Sequence, residues 1–327
     1  MINFRLQKNS LIKGLILLFM ILMLIFPYAT FQGASTGLLL WFHNVLPNLL
    51  PCVILSNLMV KLNITRQISK VFHPFLGKVF KVSLEGCYPI AIGFLSGIPM
   101  GAKSTADLMR ERKISRDEGQ FLIGLCNNAS PMFIIGYIAI TQLKLPQIKY
   151  ALFAIIYSSA ILGAVLMRMF LFQKRSKAVT AHSRPLHAMA QTPTPPSQRF
   201  SFDLLDQSIM NSFEVVTRIG GYIILFSILA QIIQTVGPEV GFYKAVLMGV
   251  FEITTGISQI CKSNLDTDIK IVLVTVLTTF GGFSGIAQTK SVLGNHGLSI
   301  KSYIGVKLLS ALISFALSYL YVLRMDF

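Results

Sequence analysis

Residues 84–103 read Leu84-Glu85-Gly86-Cys87-Tyr88-Pro89-Ile90-Ala91-Ile92-Gly93-Phe94-Leu95-Ser96-Gly97-Ile98-Pro99-Met100-Gly101-Ala102-Lys103, and a densely charged run follows to Glu118. As a helix, the apolar part from Cys87 to Leu95 covers only about 14 Å, less than half of the ~30 Å of hydrocarbon in a bilayer. Its flanks, Lys61 to Lys81 and Lys103 to Glu118, are basic or charged and belong in water on one side. A segment too short to cross, with both flanks on one side, must enter and return. The fold expected from it is a polytopic, all-α integral membrane protein with re-entrant helical hairpins and broken helices.

The totals agree. Of 327 residues, 53% are hydrophobic and 13% charged, about half the charged fraction of a soluble domain. Mean hydropathy is +0.65. The formal net charge of +16 comes from Lys and Arg placed between apolar runs. That is a positive-inside pattern, not the one-faced basic patch of a nucleic-acid binder. Lipid is therefore the expected partner and nucleic acid is not. The four cysteines (Cys52, Cys87, Cys126, Cys261) lie singly in apolar segments without a C-x-x-C pair, so neither a disulfide frame nor a metal site is expected. No cofactor motif occurs either.

Long apolar runs place spans at about 11–29, 38–60 (interrupted by Pro47 and Pro51), 121–141, 150–172, 209–236 and 303–323, with a short turn at 33–37. The basic segment 61–81 suits the interface. The span at 121–141 is broken by Asn127-Asn128-Ala129-Ser130-Pro131. Basic residues before the first run resemble a signal peptide, but an uncleaved first helix is expected. The division is a first helix (1–32), a first repeat (33–172, hairpin 84–112), a basic Pro-rich cytoplasmic linker (173–200) and a second repeat (201–327, hairpin 269–300). Either six or eight crossings leave both termini cytoplasmic. A competing count turns 242–260 and 269–283 into full spans.

The repeat rests on Ser96-Gly97-Ile98 followed by Lys103-Ser104, and Ser284-Gly285-Ile286 followed by Lys290-Ser291. Opposite charge bias after the two halves suggests inverted orientation, the design of secondary transporters. Backbone groups exposed where a helix bends need partners in hydrocarbon, and glycine lets a solute approach them. The expected substrate-binding residues are Ser96, Gly97, Pro99 and Lys103 at the first tip, and Asn127, Asn128 and Ser130 at the break. Ser284, Gly285, Gln288 and Lys290 are their counterparts in the second half. Lys103 and Lys290 beside the tips point to a small anion. Glu214 and Arg218, one turn apart in an apolar span, are expected to pair. Each single residue also has a plainer reading: small residues for helix packing, lysines at the interface, Asp107 neutralising Lys103, Glu252 at the headgroup level, and His43 as a packed histidine. A homo-oligomer is compatible with the sequence.

The run Gly93-Phe94-Leu95-Ser96-Gly97-Ile98-Pro99-Met100-Gly101-Ala102-Lys103, then Ile114-Ser115, then Cys126-Asn127-Asn128-Ala129-Ser130-Pro131-Met132-Phe133-Ile134-Ile135-Gly136, resembles the YlbJ-type sporulation integral membrane proteins. These are similar in turn to the nucleoside-recognition (Gate) domain superfamily. Gly281-Gly282-Phe283-Ser284-Gly285 and Gln288 extend the resemblance to the second half. It implies a multi-pass protein of the mother-cell or outer forespore membrane that moves dipicolinate during spore maturation. Export of a dianion from a negative-inside compartment gains about 2.3 kcal/mol per charge per 100 mV, so no coupling ion is required. Two alternatives stand beside it: a nucleoside carrier, and a non-transporting scaffold for spore cortex or coat assembly. An enzyme is not expected. Gly282-Phe283-Ser284-Gly285 fits G-x-S-G, but an intramembrane protease also needs a histidine at depth; His296 lies in a polar loop and His43 far off in sequence.

Overall fold

A computed structural model describes residues 2–62, 64–176, 199–237, 242–294 and 297–325. Most of the expected linker, and His296, fall outside these residues. Among the described residues there are helices and turns and no strand. The helices are α1 (Ile2–Ile25), α2 (Pro27–Leu40), α3 (Leu46–Lys61), α4 (Thr65–Phe80), α5 (Cys87–Ser96), α6 (Met100–Arg110) and α7 (Arg116–Cys126), then α8 (Lys149–Ser176), α9 (Phe202–Val236), α10 (Tyr243–Phe251), α11 (Ile253–Lys262), α12 (Thr267–Phe280), α13 (Gly282–Leu293) and α14 (Ile300–Val322). Two π-helical stretches, Trp41–Val45 and Phe133–Gln142, complete the list of longer elements.

Local chemistry sets the ends. Pro27 closes α1 and opens α2, since proline suits a first turn and cannot continue one, and the chain bends there by 105°. Ser115, Ser201 and Ser299 cap α7, α9 and α14 by accepting from the backbone N–H three residues on, which satisfies a donor otherwise orphaned. The expected turn at 33–37 is instead helical and lies inside α2. Its glycines are there for contact: a Cβ on Gly33 would fall 2.6 Å from Ile228 Cα, and one on Gly37 2.8 Å from Ile224 Cα. They let α2 lie directly on α9.

α8, α9, the α12–α13 pair and α14 are each long and apolar enough to cross a bilayer; each of the two bent pairs, α1–α2 and α3–α4, could make a further span. Large apolar side chains such as Leu24, Phe31 and Leu312 stand on the outside, the arrangement lipid requires.

The first hairpin forms as expected. α5 and α6 pack on each other with Gly93 against Gly101, where a Cβ on Gly93 would sit 2.9 Å from Gly101 Cα. Ser83 N–H donates to Glu118 Oε1 at 2.6 Å, so the chain before α5 and the start of α7 meet at the same end.

The second hairpin is elsewhere. α12 and α13 do not fold back at Gly281; they continue as one span of 27 residues, Thr267–Leu293, with a break in it. The expected hairpin at 269–300 is therefore corrected. The piece read as short is extended past its glycines by Phe283, Ile286, Val292 and Leu293. The fold-back lies at Tyr243–Lys262, where α10 and α11 reverse between Phe251 and Ile253 and press Gly249 on Gly256. Residues 242–260 thus form a hairpin and not the full span of the competing count.

With this assignment the repeat is clear in the packing. α5–α6 corresponds to α10–α11, α7 to α12, the 133–142 stretch to α13, and α8 to α14. α6 packs on α13 as α11 packs on 133–142; α7 touches α14 as α12 touches α8; α8 and α14 pair at the centre. Ser96-Gly97 and Ser284-Gly285 are thus not equivalent positions. The first is a hairpin tip, the second a helix break.

Candidate functional site: the cavity between the tips and the breaks

Both tips and both breaks meet. Gly97, at φ +79°, turns the first tip onto the first break: a Cβ there would lie 2.6 Å from Ser130 N. Ile98 N–H donates to Asn128 O at 2.8 Å. Ile98 also reaches the second break, beside Gly281. Reciprocally, the second tip packs Ile253 on Gly282 of its own half, while Thr254 O accepts from Tyr137 of the first half at 3.1 Å. Between them lies a cavity of about 690 Å³, within the usual size of small-molecule sites.

The backbone at the first break is accounted for. Asn128 O takes the tip's N–H, and Ala129 O and Phe94 O share the Tyr157 hydroxyl at 3.1 and 2.8 Å. Asn127 Nδ2 donates to Thr289 Oγ1 at 2.8 Å and Tyr303 OH at 3.0 Å, linking the break to α13 and α14. Asn128 Nδ2 donates to Leu125 O, and its Oδ1 accepts from Lys307 Nζ at 2.7 Å. Lys307 is 1% exposed. Among the described residues no carboxylate pairs with it.

The expected site residues divide. Ser96, Ser130, Ser284, Gly285 and Gln288 line the cavity. Ser284 Oγ accepts from Gln288 Nε2 at 3.1 Å, and Ser130 Oγ accepts from Phe133 N–H at 3.2 Å. Gly97, Pro99, Asn127 and Asn128 shape the walls from behind. The two lysines do not reach it. Lys103 is held by Asp107 at 2.8 Å and Asn57 at 2.7 Å: an i,i+4 acid neutralises it on α6's own face. Lys290 is exposed near the far end of α13. The anion preference drawn from these two side chains is corrected: neither lines the cavity. Glu214 and Arg218 do pair, on an exposed face away from the cavity.

Several wall residues were not anticipated. Tyr137 and Phe133 stack with centroids 5.0 Å apart, and Asn44 and Thr254 add polar groups. Glu252, read as a headgroup-level acid, stands at the second tip and is 3% exposed. Its Oε1 accepts from Thr254 Oγ1 at 3.1 Å, and its Oε2 from Thr255 N–H at 2.8 Å and Thr255 Oγ1 at 2.9 Å, so it also caps α11. No Lys or Arg lines the cavity. A lone acid between two apolar stretches was the available signal for Glu252, and the lone lysine of the last span was the signal for Lys307.

The molecule thus defined is a polytopic helical membrane protein of two structurally repeated halves, whose hairpin tips and broken helices close on one cavity. Over 307 residues the chain is 29% identical to the sporulation integral membrane protein YlbJ of Bacillus subtilis (strain 168), covering 86% of this chain and 75% of that protein. It is a YlbJ-type integral membrane protein. No protein-family model matches the chain, and no solved structure matches it; kinship with the wider nucleoside-recognition superfamily rests on the motifs alone.

Proposed function

We propose that this protein is a membrane carrier of a small planar organic acid, of the dipicolinate class, acting in spore formation. One observation supports carriage above all: two fold-back tips and two helix breaks, drawn from both halves, converge on a single cavity. Irregular backbone of this kind is tolerated at depth where it lines a polar cavity, and it characterises carriers with alternating access. The spore-forming context comes from the named relative and the motif resemblance.

Without a lysine in the wall, positive potential for an anion must come from helix N-termini. α13 begins at Gly282, with Gly281, Ser284 and Gly285 in the wall, and first-turn N–H groups lack intrahelical acceptors. Glu252 opposes an anion: at ~6 Å and an effective dielectric of ~20 the repulsion is about 3 kcal/mol per unit charge. A second reading follows from the same side chain. A carboxylate, Gln288, Asn44 and stacked aromatics also suit a neutral ring with N–H and O–H donors, as in a nucleoside.

Reconstituted protein decides between them. Uptake of pyridine-2,6-dicarboxylate into proteoliposomes, not inhibited by uridine or adenosine, supports the acid carrier. Inhibition by nucleosides shifts the assignment to the second reading. Absence of flux for either, with spores of tip variants maturing normally, favours the scaffold and rejects carriage.

A further inference from the structure

Granted that the cavity binds an organic anion, we infer that Glu252 takes up a monovalent cation, a proton or a sodium ion, together with it, and so couples the solute to a cation gradient. The passive route sufficient on charge alone is then not the one built into this chain.

The case begins with what faces the carboxylate. Glu252 is buried at the turn between α10 and α11 and forms part of the cavity wall. Its neighbours donate three hydrogen bonds, two to Oε2 and one to Oε1. A carboxylate has about four acceptor positions, so Oε1 keeps one for the cavity. Among the described residues no basic side chain pairs with it. Element by element, the wall offers little that titrates. α3 contributes Leu49, α9 Ile223, the first tip Ser96 and Ile98, and α13 glycine, serine and glutamine. The 133–142 stretch contributes Tyr137, whose hydroxyl is committed to Thr254 O. Tyr137 and Glu252 are the titratable side chains of the wall.

A buried acid without a basic partner is tolerable in an empty, hydrated cavity. When an anion fills that space the water leaves, and two like charges share a low-dielectric site. A cation on Glu252 removes the conflict. The tip is well placed for this, since it touches the second break through Ile253 and Gly282 and the first half through Tyr137. Neutralising it would therefore be felt by both halves.

Binding of pyridine-2,6-dicarboxylate to the full chain in nanodiscs, followed by calorimetry in buffers of different ionisation enthalpy and at several sodium concentrations, tests the inference. The expected wild-type result is uptake of one cation per solute. Kd then rises about tenfold per pH unit for a proton, or tenfold per tenfold fall in sodium for the ion. Glu252→Gln should abolish this linkage and Glu252→Asp should keep it. Wild-type binding without linked cation uptake overturns the inference, as does linkage that survives in Glu252→Gln. If Glu252→Gln does not fold, the wild-type stoichiometry and the Asp variant still decide. Binding and flux without linkage would leave the carrier reading standing; no binding and no flux of the dicarboxylate would remove that reading itself.

Discussion

Gly97→Ala is the sharpest perturbation of the cavity's construction. Gly97 sits at φ +79° and ψ −160°, a region essentially reserved for glycine, where another residue costs about 1–3 kcal/mol. Its new Cβ would stand 2.6 Å from Ser130 N and 2.9 Å from Ser130 Cα. Those are backbone atoms, unable to rotate aside, and overpacking of this kind costs a further ~1–3 kcal/mol. The expected destabilisation is at least about 2 kcal/mol, or roughly 4–8 °C in Tm. It should come with loss of the Ile98–Asn128 bond and easier labelling of a cysteine placed at Ser96. Gly221→Ala is the matched control. Nothing lies within 4 Å of its added Cβ, and alanine in a helix gains about 0.5–1 kcal/mol over glycine. Thermal unfolding in detergent by a thiol-reactive dye, with both variants side by side, gives the answer. Equal midpoints for Gly97→Ala and Gly221→Ala would refute the tip-on-break contact.

Further substitutions separate wall, support and surface. Lys290→Ala should leave the Kd for pyridine-2,6-dicarboxylate within about twofold of wild type, because the side chain is exposed and outside the wall; a tenfold loss would return it to the site. Asn127→Leu removes the bonds to Thr289 and Tyr303 and leaves buried polar groups unpaired at about 1–3 kcal/mol each, so Tm should fall by several degrees. A variant as stable as wild type would contradict that network. Glu214→Ala and Arg218→Ala, singly or together, should change stability by under about 1 kcal/mol, since the pair is exposed, as a denaturation series would show. A Gly256→Leu variant should fail to assemble α10 against α11, because its Cβ alone would meet Gly249 Cα at 2.1 Å; normal size-exclusion behaviour and normal Tm would argue against the second hairpin.

The spans and the first hairpin were legible because they depend on length against a fixed hydrocarbon thickness. α7, α8, α9 and α14 lie within a few residues of the apolar runs that announced them, and Cys87–Ser96 is short between charged flanks. The boundary between α1 and α2 was less legible. Gly33 and Gly37 look like turn residues in sequence, and only the presence of α9 alongside shows them to be contact residues within a helix. The second hairpin was missed for a related reason. Gly281-Gly282 can end a helix by reversing it or by merely breaking it, and local composition does not choose between these; the neighbours that receive the chain afterwards do.

The repeat shows how a true symmetry can be paired at the wrong residues. Ser-Gly-Ile followed by Lys-Ser recurs because both places need a small residue beside a cavity, one at a tip and one at a break. The equivalent features are the glycine pairs that hold each hairpin shut, Gly93 with Gly101 and Gly249 with Gly256. A fold-back needs two small residues separated by about two helical turns plus the turn itself, and that spacing could have been sought. Once the pairs are aligned, Glu252 falls at the position of the first tip, and the acid dismissed as interfacial becomes a wall residue. The lysines move the other way. Lys103 has Asp107 one turn on, and a charge satisfied on its own helix face has nothing left for a solute. A cavity with one acid, no base and several helix starts follows, and its charge balance is decided by whatever cation accompanies the solute.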